Sequence, residues 1–447
     1  MASARTPHIV ILGGGFAGVG AARELARLLD KKEAGRITLV DQHNYQLFTP
    51  MLTEVAGGQI EPGHTVSSIR RLSPRVDFVQ GRVDHIAVEG RRVTITTGDP
   101  EEGLPGAQRV LEADQLVIAL GSVTNFHHLP GIQEHALTIK SVGDAAAIRN
   151  RALALLEVAS AEPDWALRRA MLTFVVGGGG FSGVETMAAL NDLVRDVATR
   201  YPGLRDNPIR TVLIHPGERL LPELGARLSR YTQRQLEQRG VEVLLSTKIA
   251  GAGPDYVELE GDRRIDAHLL VWAAGVMPSP VIGTLDCPRG KHGGIAVEPT
   301  MAMSGHPGVW AMGDCAEVPR PGGKGGYAPT AQNASREGPH VARNIVATMR
   351  GERPKPFVYK PIGELAIVGR RTGVASLYGH QFSGPLAWAM WRLIYLAKMP
   401  LLGNRVRIGL DWLLDLAFGG EIVALPIRRS ADAAARPTGG IPRGGRG

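Results

Sequence analysis

The chain spells nearly the same seven-residue phrase twice, with one letter changed: Gly13-Gly14-Gly15-Phe16-Ala17-Gly18-Val19 and, 165 positions later, Gly178-Gly179-Gly180-Phe181-Ser182-Gly183-Val184. Each copy follows an apolar run that reads as a buried strand, His8–Leu12 and Met171–Val176. Each leads into a helical pattern, Val19–Leu29 and Val184–Thr199, and then into a further strand, Arg36–Val40 and Thr211–Ile214. In Gly-x-Gly-x-x-Gly the first glycine permits the tight turn, the second admits a pyrophosphate against the backbone, and the third lets helix pack on strand. The helix start offers free N–H groups and a positive dipole end to phosphate. A repeat of this kind outweighs any single motif. It predicts an α/β chain with two dinucleotide-binding halves.

The halves differ at the end of their second strand. The first ends in Asp41, which can accept hydrogen bonds from a ribose 2′-hydroxyl. The second ends in His215, with Arg219 four residues on. A neutral or cationic side chain there does not repel a 2′-phosphate, so this half is expected to take NADPH as well as NADH. The plainer alternative is that His215 only caps a strand. Two dinucleotides in one chain point to hydride transfer from a nicotinamide to a flavin, because the side chains offer no other redox group. The cysteines are two, Cys287 and Cys315. That excludes disulfide scaffolds, Cys-rich zinc sites and Cys-ligated iron–sulfur clusters. There is no Cys-x-x-Cys for a dithiol relay, Cys315 reads as a small buried residue, and no metal site is expected.

Glycine makes up 57 of 447 residues, which places it at specific backbone sites rather than in low-complexity sequence. Further strand-like runs stop at glycine: Leu116–Leu120 before Gly121, Leu269–Ala274 before Gly275, Val309–Met312 before Gly313-Asp314. Gly98–Ala107 reads as a hairpin turn and Arg350–Pro356 as a linker. The first apolar run is too short for a signal-peptide core. The longest apolar stretch, Leu386–Leu402, is interrupted by Arg392 and Lys398, so no membrane span and no ion pumping through one are expected. Net charge is +8, half of it in the Arg-rich tail 428–447, which reads as disordered. This favours an anionic surface as partner. No recognition motif accompanies the arginines, so nucleic acid is not expected.

With these motifs in place, the chain resembles the two-dinucleotide-binding-domain flavoproteins. Within them it looks like type II NADH dehydrogenase, a family of single-chain NADH:quinone oxidoreductases that pump no protons. The likeness runs from residue 8 to residue 427. Asn44-Tyr45-Gln46-Leu47-Phe48-Thr49-Pro50-Met51-Leu52-Thr53-Glu54-Val55-Ala56 is similar to the family's segment under the isoalloxazine. Gly313-Asp314-Cys315-Ala316 resembles its second flavin motif, on a strand end leading to a helix. Trp272-Ala273-Ala274-Gly275-Val276 resembles the turn beside the nicotinamide nucleotide, and Pro329-Thr330-Ala331-Gln332 the stretch at the flavin pyrimidine edge and the quinone.

The resemblance implies FAD on Gly13, Gly15, Phe16, Ala17, Gly18, Asp41, Gln42, Pro50, Val83, Gly121, Asp314, Ala331 and Gln332. It implies NAD(P)H on Gly178, Gly180, Phe181, Ser182, Gly183, Glu185, His215, Ala274 and Gly275. A quinone would sit by Gln332 and Arg336. Glu185 and Gln332 become the catalytic candidates, Glu185 orienting the nicotinamide or relaying a proton. Two positions depart from the family pattern: Arg336 stands where Ala-Gln-x-x-x-Gln has its second Gln, and Ile362 where a lysine often precedes the glycine matching Gly363. They motivate one rival reading, a flavin reductase with a soluble or protein acceptor; a redox-sensing flavoprotein is a second alternative.

The implied fold is α/β, with two Rossmann-like domains in three layers, the first discontinuous, plus a C-terminal mainly helical membrane-association region. The expected divisions are residues 1–145 and 287–350 for FAD, 146–286 for NAD(P)H, and 357–427 for membrane or dimer contacts. Leu386, Met390, Leu393 and Ala397 follow a helical period, with Trp388, Trp391 and Tyr395 alongside and Arg392 and Lys398 able to snorkel. Arg405, Arg407, Trp412, Leu413, Leu416 and Phe418 read as a second basic–aromatic helix. Such helices suit an interfacial anchor, on the cytoplasmic face of the cell membrane; a homodimer contact is the alternative.

Overall fold

His8–Leu12 forms the middle strand of a five-stranded parallel sheet in the computed structural model, which describes residues 6–29, 35–98, 104–204, 208–322, 325–419 and 423–424. The tail 428–447 lies outside the described residues. Arg36–Asp41 and Gln115–Ile118 flank the middle strand, with Asp77–Gln80 and Val309–Ala311 at the edges. Ile9, Val10, Ile11 and Leu12 are all fully buried, as a parallel strand covered on both faces requires. Val309–Ala311 joins this sheet only after the whole second domain has been formed, so the first domain is discontinuous in sequence.

The second sheet repeats the plan. Thr173–Gly177 lies between Arg210–Ile214 and Leu269–Trp272, with Val241–Leu244 outside. Each parallel sheet is accompanied by a three-stranded antiparallel one: Arg82–Ala87, Arg92–Thr97 and Ala107–Glu112 in the first half, Ile249–Ala252, Tyr256–Leu259 and Arg263–Asp266 in the second. The repeat therefore extends well past the glycine phrase. The two halves are joined by Ser122–Thr124, which pairs antiparallel with Val276–Pro278. Both glycine-turn helices begin earlier than their apolar period suggests, at Phe16 and Phe181. Met171 closes the preceding helix Trp165–Met171 rather than opening a strand.

Helix Ala331–Met349 packs across helix Phe16–Leu28 at very short range. A Cβ on Gly338 would fall 2.2 Å from the Ala17 carbonyl oxygen, and one on Gly20 3.3 Å from the Pro339 ring. Only glycine fits at 338.

The C-terminal region opens with a three-stranded antiparallel sheet, Gly363–Gly369, Thr372–Leu377 and His380–Gly384, which the sequence reading does not contain. Gly363 and Gly369, at φ of 147° and 132°, interrupt the alternation by which a strand is recognised. Helices Pro385–Lys398 and Leu402–Phe418 follow. The sheet packs on helix Phe181–Ala198, and the second helix docks on the first domain, where Asn404 donates to the Val66 carbonyl (2.6 Å) and Asp411 pairs with His64 (2.6 Å). Phe48, Val184, Leu365 and Trp391 thus share one core. Arg392 corrects the sequence reading: it does not snorkel but is 7% exposed. Leu386, Leu393, Leu413 and Phe418 point outward instead. No helix among the described residues is long and apolar enough to cross a membrane.

Candidate functional site

The two glycine turns match atom for atom in their backbone bonds. Gly13 N–H donates to the Val40 carbonyl and Gly178 N–H to the Ile214 carbonyl, both at 2.8 Å. Val19 N–H reaches the Gly15 carbonyl and Val184 N–H the Gly180 carbonyl, both at 3.0 Å. A Cβ on Gly18 would lie 1.8 Å from the Gly13 oxygen, and one on Gly183 1.9 Å from the Gly178 oxygen, so helix and strand meet there without room for a side chain. At Gly15 and Gly180 a Cβ would meet nothing within 4 Å. Those two glycines face open space at a helix start, the arrangement that admits a pyrophosphate. The residues present therefore fit two dinucleotides.

The matching continues into the acid position. Gly14 N–H donates to Asp41 Oδ2 (2.6 Å), and Gly179 N–H donates to His215 Nδ1 (3.1 Å). Because Nδ1 accepts, it carries no proton, and the ring is the neutral Nε2–H tautomer. Burial pushes the His215 pKa down, opposed by Glu223. Asp41 keeps Oδ1 on the His43 N–H (2.7 Å). Gln42 is exposed one residue on, its carbonyl accepting from Gln80, while Val83 is buried in the adjoining antiparallel sheet.

Pro50 is the second residue of the 3₁₀ turn Thr49–Met51, which runs into helix Leu52–Ala56. A line of rings leads from here to the second domain: Phe16 to Phe48 at 5.7 Å, Phe48 to Tyr395 at 6.1 Å, Tyr395 to Trp391 at 4.6 Å between centroids. The line ends at Glu185, buried in the second turn's helix. Glu185 Oε1 accepts from the Ile367 N–H (3.0 Å) and from Trp391 Nε1 (3.1 Å). Burial pushes its pKa up to about 8; the bond from Ile367 opposes this, and the neighbouring Glu54 adds to it.

Asp314 lies in the 3₁₀ turn Gly313–Cys315, and the helix it was expected to lead into begins only at Ala331. Its carboxylate accepts from the Ser122 hydroxyl (2.7 Å), which in turn accepts from Lys140 Nζ (3.1 Å). Burial lowers the Lys140 pKa against the pull of Asp314. Gly121, at φ 66°, ends the strand run beside Ser122. Cys315 is fully buried, with its thiol pushed up to about 12 by burial. Ala274 and Gly275 form the turn that meets His127, whose Nε2 lies 3.2 Å from the Ala274 oxygen. Ala331 and Gln332 open helix Ala331–Met349, capped by the Thr330 hydroxyl. Gln332 and the exposed Arg336 share one face of it, one turn apart. The position of Ile362 holds no cation, yet Lys398 comes close enough to Arg336 for their charges to repel.

Glu337 was missed by the sequence reading. It is 3% exposed and accepts from the Gly313 N–H (2.6 Å), fixing the turn that carries Asp314. Burial raises its pKa to about 7. A buried N–H left without its acceptor costs ~2 kcal/mol. Glu337→Leu is therefore expected to raise the FAD dissociation constant roughly 30-fold, read by flavin fluorescence on dilution. Retention equal to the parent protein would exclude the role.

Residues 7–338 match the pyridine nucleotide-disulphide oxidoreductase family, and residues 362–420 match the NDH2 C-terminal domain. The chain is 30% identical over 428 residues to the type II NADH:quinone oxidoreductase NdhA of Mycobacterium tuberculosis, covering 93% of this chain and 87% of that protein. It is 29% identical to demethylphylloquinone reductase NdbB of Synechocystis, covering 91% and 96%. Among solved structures, NDH2 of Plasmodium falciparum in complex with NADH has the same fold, with a TM-score of 0.85 at 21% identity over 94% of this chain and all of that one. Both cysteines here are free. Glycine turns, C-terminal domain and relatives agree: the chain belongs to the type II NADH:quinone oxidoreductase family.

Proposed function

We propose that this chain oxidises NADH on its second glycine turn and delivers two electrons to a membrane quinone, with FAD held on the first turn. The observation that carries this is the pair of matched turns converging on one buried acid, Glu185, beneath helices whose outer face is apolar. FAD supplies the two-electron relay between nicotinamide and acceptor. The chain itself positions: Gly178, Gly180 and Gly183 hold the coenzyme diphosphate, Phe181 and Ser182 begin the helix behind it, and Ala274–Gly275 border the nicotinamide side. Hydride transfer needs alignment more than acid–base help. Glu185 holds a proton there, and Trp391 and Tyr395 keep water away from it. Gln332 and Arg336 border the acceptor. His215, neutral and uncharged toward a 2′-phosphate, lets NADPH enter as well as NADH.

The test is an anaerobic titration. NADH is expected to bleach the flavin, NADPH to bleach it less efficiently by no more than roughly 100-fold (about 2.7 kcal/mol), and a quinone to restore the colour. Reoxidation by soluble acceptors alone would favour the soluble-acceptor reading. A larger preference for NADH would remove His215 as the permissive residue.

The outward face of the last two helices supports peripheral attachment to a membrane, and our reading is the cytoplasmic face of the cell membrane. Leu393 and Leu413 are 68% and 63% exposed, and Phe418 80%. Lys398, Arg405 and Arg407 accompany them, as an interfacial anchor requires. Burying a leucine in acyl chains stabilises binding by about 1.5 kcal/mol or more. The double change Leu393→Glu/Leu413→Glu is expected to weaken vesicle binding roughly 100-fold with no change in the mass of the assembly in solution. A loss of dimer mass with unchanged vesicle binding would make this face a homodimer contact.

A further inference from the structure

Three ionisable side chains meet where the two glycine-turn domains and the C-terminal helices come together. Glu54 belongs to helix Leu52–Ala56 and is 2% exposed; Glu185 belongs to helix Phe181–Ala198 and is 9% exposed; Arg392 belongs to helix Pro385–Lys398. Arg392 Nη2 donates to Glu54 Oε1 (3.3 Å), and Trp412 Nε1 donates to Glu54 Oε2 (3.0 Å). The guanidinium lies between two indoles, 4.4 Å from the Trp388 ring centroid and 4.6 Å from that of Trp412. Its Nε has no hydrogen-bond partner among the described residues. The residue before it, Trp391, donates to Glu185.

The cluster thus holds one buried cation and two buried carboxyls. Arginine does not deprotonate in proteins, and a buried cluster of charges is stable only near neutrality. One carboxyl must therefore be ionised and the other protonated. Arg392 touches Glu54, whereas Glu185 accepts from an indole and a backbone amide, both neutral donors.

We propose that Glu54 and Arg392 are positioning residues for Glu185: by pairing with each other they leave Glu185 as the protonated acid of the site at neutral pH. This rests on the reading of Glu185 as the group that holds a proton beside the nicotinamide. The order of ionisation agrees, since Glu54 is raised to about 7 and Glu185 to about 8, burial being the main cause for both. Other groups face the cluster. Tyr395, on the Arg392 helix, is a partly buried phenol whose pKa is pushed upward by desolvation and by Glu185 and Glu364. Glu364 comes from strand Gly363–Gly369, and Asp415, from helix Leu402–Phe418, acts on both Glu54 and Arg392.

The test uses the FAD-loaded protein and follows the protonated-carboxyl infrared band against pH, with E185Q identifying the band that belongs to Glu185. E54Q leaves a buried cation whose nearest remaining carboxyl is Glu185. The midpoint of the Glu185 band is then expected to fall by one pH unit or more, a tenfold change in its ionisation constant. The alkaline limb in the pH profile of flavin reduction by NADH should move with it. E54Q/R392M removes the cation as well, and the midpoint is expected to climb back toward that of the parent protein. A role of Glu54 in packing alone would lower flavin content or thermal stability and leave the midpoint where it was. An unmoved midpoint in E54Q, or a double variant that behaves like E54Q, would overturn the proposal. If E54Q does not fold, the charge-neutral double variant set against the parent decides: a midpoint displaced as far as one unit would overturn it. If E185Q leaves NADH oxidation untouched, the proposed function of Glu185 fails while the infrared band still reports its protonation.

Discussion

Gly183→Val is expected to abolish efficient NADH oxidation in a protein that still carries its flavin. The valine Cβ would lie 1.9 Å from the Gly178 oxygen and 2.8 Å from its carbonyl carbon, both of them backbone atoms that no side-chain rotation can clear. Overpacking of this kind costs about 1–3 kcal/mol, and here it falls on the turn that must close around a diphosphate. Roughly a 100-fold loss in kcat/KM for NADH follows, together with a lower Tm. Gly180→Ala separates binding from folding. Its Cβ meets nothing within 4 Å, and φ of −79° suits alanine, so the fold should be unchanged in stability. The methyl group would instead stand where the diphosphate approaches, and KM for NADH should increase while kcat changes little. Gly18→Val is the counterpart in the first half, with its Cβ 1.8 Å from the Gly13 oxygen; there the flavin should be lost and coenzyme binding kept. Stopped-flow bleaching of the flavin by NADH reads the first two, and flavin content with a direct NADH-binding titration reads the third. A Gly183→Val protein with unchanged NADH kinetics would remove the second turn as the coenzyme site.

These contacts were legible from the sequence because glycine geometry is local. A turn that brings the sixth residue of a phrase onto the carbonyl of its first leaves no alternative residue, so spelling alone reveals the shape. Asp41 and His215 were legible for a related reason, each standing at the end of the strand that follows its turn and helix. Arg392 was not. Within its own helix it is one cation in an apolar stretch, which suits a snorkelling side chain. Its burial is decided by Glu54 and Trp412, more than 300 residues earlier and 20 residues later. Glu337 and Lys140 were hidden in the same way, since their roles arise only when Gly313 and Ser122 arrive from other parts of the chain. The C-terminal sheet escaped because its glycines break the alternation that marks strands, while its neighbours on helix Phe181–Ala198 supply the burial. What the sequence kept back was tertiary pairing of charge, and most of the buried ionisable groups of the site are of that kind.

Those groups make stability depend on pH in a direction opposite to the usual acid denaturation. Glu54, Glu185 and Glu337 have folded-state pKa values raised from 4.5 to about 7, about 8 and about 7, in each case chiefly by burial. A raised carboxyl binds its proton more tightly in the folded protein than in the unfolded chain. Between its two pKa values the folded state holds more protons, so stability falls as pH increases. Below about pH 4.5 these three carboxyls carry no penalty. The penalty grows through neutrality and levels off only about one unit above the Glu185 value of about 8, where each is ionised in both states. A tenfold difference in proton affinity between folded and unfolded chain corresponds to about 1.4 kcal/mol, so the summed effect is on the order of several kcal/mol even after allowance for the coupling of Glu54 with Glu185. Thermal unfolding of the FAD-loaded protein should therefore give a Tm several degrees higher at pH 6 than at pH 9. Glu185→Gln and Glu337→Gln, which keep the shape and remove the ionisation, should each flatten the profile by stabilising the alkaline side. A Tm that increases from pH 6 to pH 9, or Gln variants with the parent's full pH dependence, would show that these carboxyls are ionised and compensated in the native state.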